Sequence, residues 1–132
     1  MTTHEVASAT PNAARRGLLS AGSALLVQLG YQVEDRSHRK RALWHLRRNG
    51  VLERADVRTT RDRWFACTRS QDGGWPALDG VEKVIVIATD ARHAPSEIQL
   101  YAFPAAKVRQ RLDAAYAARS EAGVKTDGGF SL

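Results

Sequence analysis

The chain has 132 residues, of which 43% are hydrophobic and 26% are charged, and its formal net charge is +6. These values are ordinary for a globular protein, so a wholly disordered chain is not expected, and the length fits one domain. A single cysteine, Cys67, excludes an internal disulfide, and no apolar run reaches the roughly 20 residues of a membrane helix, so a soluble cytoplasmic protein is expected.

The N-terminal part is predicted to contain a flexible arm and a first helix. Residues 1–9 are small and polar and show no period, as in a loose arm. Thr10 and Pro11 are typical of a helix start, and Gly30 is typical of a helix end. Between them the apolar residues recur at helical spacing, at Leu18, Ala21, Leu25 and Leu29. We expect this nearly uncharged helix to lie against the core.

A second helix is predicted to begin at Asp35 or Ser37 and to end at Asn49-Gly50. Leu43 and Leu46 lie three residues apart and supply a narrow apolar seam. Most other positions of this helix carry bases, so only the seam can dock on a core. The remaining surface should face solvent or a partner.

Beyond this helix the pattern changes to strands. Residues 57–60 and 64–68 are rich in β-prone residues and are predicted to form a hairpin about a turn at Arg61-Asp62. Residues 70–80 are a loop by composition. Trp75 lies in this glycine-rich loop and is the tryptophan with the best case for exposure, where it would stack on a base or fill a partner's pocket.

The C-terminal part is predicted to form the centre of the sheet and a last helix. Residues 84–87 are a continuous apolar run, which indicates a central strand covered on both faces. Residues 98–103 alternate and should form a strand beside it. Pro104 begins a helix that Gly123 ends, and residues 124–132 are expected to be a flexible tail.

These elements predict one α+β domain over residues 10–123. Its sheet should have about four strands, mainly antiparallel, with two N-terminal helices and one C-terminal helix. The last helix is rich in alanine, which permits close helix contact, so a homodimer is a further prediction.

The positive charge is concentrated between Arg36 and Arg69. This segment carries ten arginines and one lysine against three acids, a net +8, whereas the rest of the chain has a net −2. Such segregation indicates a surface for a polyanion, most commonly nucleic acid, and arginine suits phosphate because its planar fork donates two parallel hydrogen bonds. The candidate nucleic-acid-binding residues are Arg36, His38, Arg39, Lys40, Arg41, Arg47, Arg48, Arg54, Arg58, Arg61 and Arg63.

A basic helix followed at once by a basic hairpin resembles the recognition helix and wing of winged-helix DNA-binding domains. The matching stretch is residues 41–68, RALWHLRRNGVLERADVRTTRDRWFACT. The resemblance implies that helix 36–49 and hairpin 54–63 contact double-stranded DNA, with no catalytic residue, cofactor or metal ion. It implies a regulator or accessory factor.

A second resemblance is to restriction-endonuclease-like domains, whose opening helix and strand are similar to residues 25–33. In that family an acid on one strand is followed by an acid-x-Lys triplet, and the two carboxylates bind Mg²⁺. Asp56 would stand for the first acid, and Cys67-Thr68-Arg69 stands where the triplet is expected. A thiol is a poor Mg²⁺ ligand and an arginine cannot replace the lysine, so the resemblance implies an inactive copy.

Scattered residues offer little other chemistry. The four histidines lack a cysteine or carboxylate at metal-site spacing. The sequence therefore favours a non-enzymatic DNA-binding protein, with duplex DNA preferred over RNA. The alternatives are a module that docks on an acidic protein and a catalytically inactive nuclease-like domain.

Overall fold

The computed structural model describes residues 5–9, 17–37, 42–90, 97–123 and 128–132. Within these ranges the chain forms strands and helices in an α+β arrangement. In chain order they are β1 (Glu5–Ala9), α1 (Leu18–Gln28), β2 (Gln32–Ser37), β3 (Ala42–Arg48), β4 (Val51–Thr60), β5 (Trp64–Ala66), β6 (Lys83–Thr89), β7 (Ile98–Pro104), α2 (Ala105–Glu121) and β8 (Gly129–Ser131).

Six of the strands form one mixed sheet in the order β1-β7-β6-β4-β3-β2. All neighbours are antiparallel except β4 and β6, which run parallel. A parallel pair needs a crossover, and here it holds β5 and a short 3-10 turn at Pro76–Leu78. The predicted four-stranded, mainly antiparallel sheet with three helices is therefore wrong, although the α+β class is correct.

The prediction of a central strand at residues 84–87 is confirmed, because β6 lies between β4 and β7 with a helix on each face. Ile85 and Ile87 pack in the cluster that contains α1, whereas Val84 and Val86 pack in the cluster that contains α2. Both faces are buried, so every residue of the run is apolar. The strand predicted beside it is β7.

The end of α1 follows the glycine signal in the sequence. Gly30 has φ 92°, and its N–H donates to the carbonyl of Val27 at 3.0 Å. The N–H of Tyr31 donates to the carbonyl of Leu26 at 3.0 Å. These two bonds form a Schellman motif, which requires the left-handed backbone that glycine adopts without strain. The predicted helix start at Thr10 lies outside the described residues, whose helix begins at Leu18.

The predicted second helix is wrong, because residues 36–37 belong to β2 and residues 42–48 to β3, and these strands pair antiparallel. Residues 38–41 lie outside the described residues. Trp44 and Leu46 are buried while the residues between and beside them are only half-buried, which is the period of a strand. The turn from β3 to β4 is Asn49-Gly50, with φ 53° and 76°. Two positive φ values make this a type I′ hairpin turn, for which Asn-Gly is the strongest signal.

The predicted hairpin over residues 57–68 is also wrong. Its first strand is the end of β4, but β5 pairs with β8, placing Phe65 opposite Phe130. The segment predicted as a flexible tail thus contributes β8, and the segment predicted as an arm contributes β1, which pairs with β7. These pairings join residues far apart in sequence, which local propensity does not predict.

The contact between α1 and the sheet depends on Gly22. A Cβ at this position would collide with the buried side chain of Ile87. We expect G22A to lower the free energy of unfolding by about 1–2 kcal/mol, because overpacking outweighs the better helix propensity of alanine. Urea denaturation measures the change. The exposed Ser20 of the same helix provides the control, since S20A should change stability by no more than about 0.5 kcal/mol. Equal effects would show that α1 does not pack closely on β6.

Candidate nucleic-acid interface

The sheet separates the basic residues into two groups. We call the end where β4 and β6 finish, at Thr60 and Thr89, the upper end, and the end with the Asn49-Gly50 turn the lower end. Strand register places the last residues of β2 and the first of β3 on the upper side, since Ala42 pairs with Val57. Arg54 and Arg61 are separated by seven residues, roughly 23 Å along an extended chain. The basic segment is therefore spread over two distant surfaces.

The segments that join elements at the upper end carry an excess of positive charge in the sequence. They are residues 10–17, 38–41, 61–63 and 90–97, of which 10–16, 38–41 and 91–96 lie outside the described residues. They contain eight bases against three acids, a net +5 with histidine neutral. The bases are Arg15, Arg16, Arg39, Lys40, Arg41, Arg61, Arg63 and Arg92, and the acids are Asp62, Asp90 and Glu97. Of the predicted contacts, His38, Arg39, Lys40 and Arg41 lie outside the described residues, and Arg36 lies in β2 opposite Trp44.

The lower end is electrically balanced. Its bases are Arg47, Arg48, Arg54 and Lys83, and its acids are Glu5, Glu34, Glu53 and Glu82. Arg47 Nε donates to Glu34 at 2.6 Å in an exposed ion pair. A carboxylate oxygen of Glu82 accepts the backbone N–H of Arg54 at 2.6 Å. This end offers no net attraction to a polyanion.

Arg48 is half-buried and is held in place by three different groups. Its guanidinium donates to both carboxylate oxygens of Glu5, at 2.6 and 3.0 Å, and to the carbonyl of Leu29 at 3.1 Å. It also lies 4.0 Å from the ring centroid of Tyr31, whose hydroxyl donates to Glu5 at 3.0 Å. The hydrogen bond from Arg48 lowers the pKa of Glu5, and burial raises the pKa of Tyr31. Arg48 is thus a structural residue.

Arg58 is directed inward toward the α2 side of the sheet. Its Nε donates to Asp56 at 3.0 Å, it donates to the carbonyl of Ala66, and its guanidinium lies 4.7 Å from the ring centroid of Phe65. Asp56 is only 1% exposed. Nearby, burial raises the pKa of the Cys67 thiol. This pair neutralises a buried carboxylate, and the hydrogen bonds of Arg58 are used within the protein.

The residues of the nuclease-like resemblance do not form a metal site here. Asp56, the expected first acid, is bonded to Arg58, and Cys67 lies buried beside this pair. In the part of the chain that the structure describes, no three histidine, cysteine or acidic side chains come together to hold a metal ion. Nor is any helix of that part long and apolar enough to cross a membrane.

The loop after β4 presents the described bases of the upper end. Asp62 Oδ1 accepts the Thr60 hydroxyl at 2.9 Å and the Trp64 N–H at 3.0 Å, and these bonds lower the pKa of Asp62. Arg63 has φ 62°, and its guanidinium donates to Gln99 at 3.2 Å and to Tyr101. Arg61 is exposed. The loop is therefore fixed by its own hydrogen bonds while Arg61 faces solvent.

The tryptophans lie elsewhere than expected. Trp75 is 1% exposed and donates its indole N–H to Asp113 at 2.7 Å, so its predicted exposure is wrong. Trp44, which could have been core or rim, is fully buried. Trp64 is 43% exposed and follows Arg63 directly, yet nothing singled it out in the sequence. The exposure of Trp64 could have been predicted from the alternation of a strand, because Phe65 lies on the buried face and the neighbouring Trp64 therefore lies on the outer face.

Arginines outside the predicted set also stack on aromatic rings. Arg69 lies 4.0 Å from the ring centroid of Tyr116, and Arg111 lies 4.0 Å from that of Phe130. Arg119 lies 5.2 Å from that of Trp64. Because each partner is distant in sequence, spacing along the chain gave no indication of these contacts.

Acid should weaken the bond between Glu5 and Arg48. Folding lowers the pKa of the Glu5 carboxyl below its ordinary value of 4.5. The ionised carboxylate therefore stabilises the protein at pH values above 4.5, and this stabilisation is lost as the pH falls through the pKa of the folded state. We expect E5Q to be clearly less stable than the parent at pH 7 and nearly equal to it at pH 3. Urea midpoints at both pH values measure this. E34Q removes an exposed pair and should change little at pH 7. A gap for E5Q that stays constant with pH would contradict the assignment.

The contributions of charge and of packing to stability can be measured separately at the Asp56–Arg58 pair. R58M leaves the buried carboxylate unpaired and should lower the free energy of unfolding by about 3 kcal/mol. The double variant D56L/R58M removes both charges and should recover most of that loss. Thermal or urea unfolding compares the two, with the exposed Arg54→Met as the control. A double variant less stable than R58M would show that the ion pair is not the source of the effect.

No family model, curated protein or solved structure matches this chain. What the protein does must therefore follow from its own residues and their placement.

Proposed function

We propose that this protein is a non-enzymatic nucleic-acid-binding protein that holds duplex DNA against the upper end of its sheet. One observation from the sequence carries the proposal: the segments that join the described elements at the upper end, residues 10–17, 38–41, 61–63 and 90–97, have a net charge of +5, although most of their bases lie outside the described residues. A charged surface of one sign attracts phosphates and steers association. A single free thiol, Cys67, suits a reducing compartment such as the cytoplasm.

The orientation of α1 adds to the positive field at the upper end. Its C-terminus leads through Gly30 and Tyr31 into Gln32 at the lower end, so its N-terminus faces upward. The first turn contains no acid and Gly17 supplies no side-chain cap. The N-terminal N–H groups of a helix carry partial positive charge and favour an anion nearby.

The β2–β3 hairpin is the element that we propose enters a groove of the duplex. It lies at one edge of the sheet, and a two-stranded ribbon fits the major groove as a helix does. Its connection has the sequence His38-Arg39-Lys40-Arg41. The proposed contact set is therefore narrower than the charge count suggested, because Arg47, Arg48 and Arg58 are engaged within the protein and Arg54 lies at the lower end. It comprises Arg36, His38, Arg39, Lys40, Arg41 and Arg61. Arg63 is left out for the same reason, because its guanidinium donates to Gln99 and Tyr101.

Salt should weaken binding in proportion to the number of phosphates contacted. A labelled 20-base-pair duplex titrated at 50 to 200 mM salt should show a steep linear fall of log affinity with log salt concentration. R61A should reduce that slope by about 1, the loss of one phosphate contact. R54A removes an equally exposed arginine of the lower end and should leave the slope unchanged.

The same titration measures the contribution of the β2–β3 connection separately from that of Arg61. Replacing Arg39, Lys40 and Arg41 by alanine should weaken binding to every duplex sequence. An affinity that does not depend on salt concentration would refute binding through the upper end. Equal effects of R54A and R61A on the salt slope would refute it as well. Equal affinity for polyglutamate would instead indicate an acidic protein partner. The predicted homodimer stays a prediction, and light scattering decides it.

A further inference from the structure

The last described segment, residues 128–132, is bound to the rest of the protein as a separate extended strand. It contains β8, which pairs with β5 in the two-stranded sheet and is not part of the six-stranded sheet. At one end of the segment the Cys67 N–H donates to the carbonyl of Gly128 at 3.1 Å. At the other end the Leu132 N–H donates to the carbonyl of Arg63 at 2.8 Å. One edge of β5 therefore holds the segment along its whole length.

Two arginines of α2 hold the opposite edge of β8. Arg119 donates to the carbonyl of Gly129 at 2.8 Å, and Arg111 donates to the carbonyl of Ser131 at 3.1 Å. These carbonyls point away from β5, because successive backbone groups of a strand alternate between its two edges. Side chains thus satisfy the edge that a neighbouring strand satisfies in a larger sheet. We call the space between β5 and α2 the β8 groove.

The β8 groove fits the sequence of the segment that fills it. The ring centroid of Phe130 lies 5.4 Å from that of Phe65 and 4.0 Å from the guanidinium carbon of Arg111. A Cβ at Gly128 or Gly129 would collide with the indole ring of a tryptophan. The groove therefore accepts two glycines followed by an aromatic residue.

Release of β8 breaks no pairing of the six-stranded sheet. The strand has three residues, and a two-stranded sheet by itself is marginally stable in water. A segment held in this way opens at a lower free energy than the whole fold. The groove and the segment are the same in every copy of the chain. Two copies that exchange the segment therefore keep all the contacts described above, as in a domain-swapped dimer.

We propose that the β8 groove takes residues 128–132 of a second copy, so that two copies form a dimer by exchanging β8. Residues 124–127, which join α2 to this segment, lie outside the described residues and supply none of the contacts above. A short connection gives the segment of the same chain an effective concentration of about 1 mM, so both arrangements are populated at protein concentrations near that value. The interface is then β8 and not the alanine-rich face of α2.

Disulfide trapping measures the exchange. Trp64 and Ser131 are exposed and lie opposite each other in the β5–β8 pair. The hydrogen bonds run from the residues on either side, and pairs of this kind have Cα atoms about 4.5 Å apart, which a disulfide spans. W64C and S131C are made in separate chains, each with Cys67→Ala. The two chains are mixed at about 1 mM, diluted to about 20 µM and oxidised, so that thiols held as a pair react faster than thiols that collide.

The mixed W64C and S131C dimer should exceed the product of a control mixture at least about tenfold. The control combines W64C with S20C, since Ser20 is equally exposed but lies on α1. The synthetic peptide TDGGFSL, residues 126–132, should lower the yield of the mixed dimer because it fills the open groove. The peptide TDGGASL lacks the aromatic anchor and should not.

The double variant W64C/S131C gives a second measurement by light scattering. Oxidised at low concentration, it is locked within one chain and should stay a monomer at about 1 mM, whereas the unaltered chain and the reduced double variant should contain dimer.

Three results overturn the inference. Equal yields from the test and control mixtures show that β8 is not exchanged. A dimer that persists in the oxidised double variant, or an unaltered chain that is wholly monomeric at about 1 mM, has the same meaning. Binding of the peptide TDGGFSL without any mixed dimer assigns the groove to a segment of another protein. Nucleic acid is absent from all these samples, so none of these results bears on the proposed function.

Discussion

The bond between Arg48 and Glu5 joins strands that stand far apart in the sheet order, since β3 lies next to one edge and β1 forms the other. It can form only because the sheet curls around α1, and Tyr31 at the foot of α1 completes the contact. The curl encloses Leu25 and Leu26, which are fully buried. A flat sheet would leave one flank of α1 in water, so the burial of the α1 core and the closure by Arg48 depend on each other.

Many arginines of this fold pack on aromatic rings, so the number of arginines is a poor guide to the charge available for a partner. Six arginines of the described part lie over aromatic rings, at Arg48, Arg58, Arg63, Arg69, Arg111 and Arg119. About two such contacts are expected in a chain of this length, at roughly one per 70–80 residues. Much of the arginine excess thus covers the rims of the two cores, where the planar guanidinium packs on a ring and still donates to carbonyls. An arginine-rich composition alone is therefore weak evidence for a nucleic-acid partner, and the evidence lies in where the unengaged charges are.

Hydrophobic periodicity and glycine positions in the sequence predicted the elements that depend on neighbouring residues alone. The apolar run of β6, the alternation of β7, and the glycines after α1 and α2 are of this kind. The β2–β3 hairpin was mistaken for a helix because Leu43 and Leu46 have helical spacing, whereas the period of two from Trp44 to Leu46 and the Asn49-Gly50 pair indicate a hairpin. The pairing of β5 with β8 and the parallel pairing of β4 with β6 depend on distant segments.

The separation of the two ends matters because charges act over a limited distance in salt solution. At physiological ionic strength the screening length is about 8 Å, well below the roughly 23 Å of extended chain between Arg54 and Arg61. Under the proposed function, a polyanion at the upper end responds to the charges of that end and not to the net +6 of the chain. The balanced pairs of the lower end neither assist nor oppose it. At 0.01 M salt the screening length grows to about 30 Å, and both ends then act as one field. The electrostatic separation of the two ends is thus a property of the folded sheet, which sets the distance, and of the salt, which makes that distance effective.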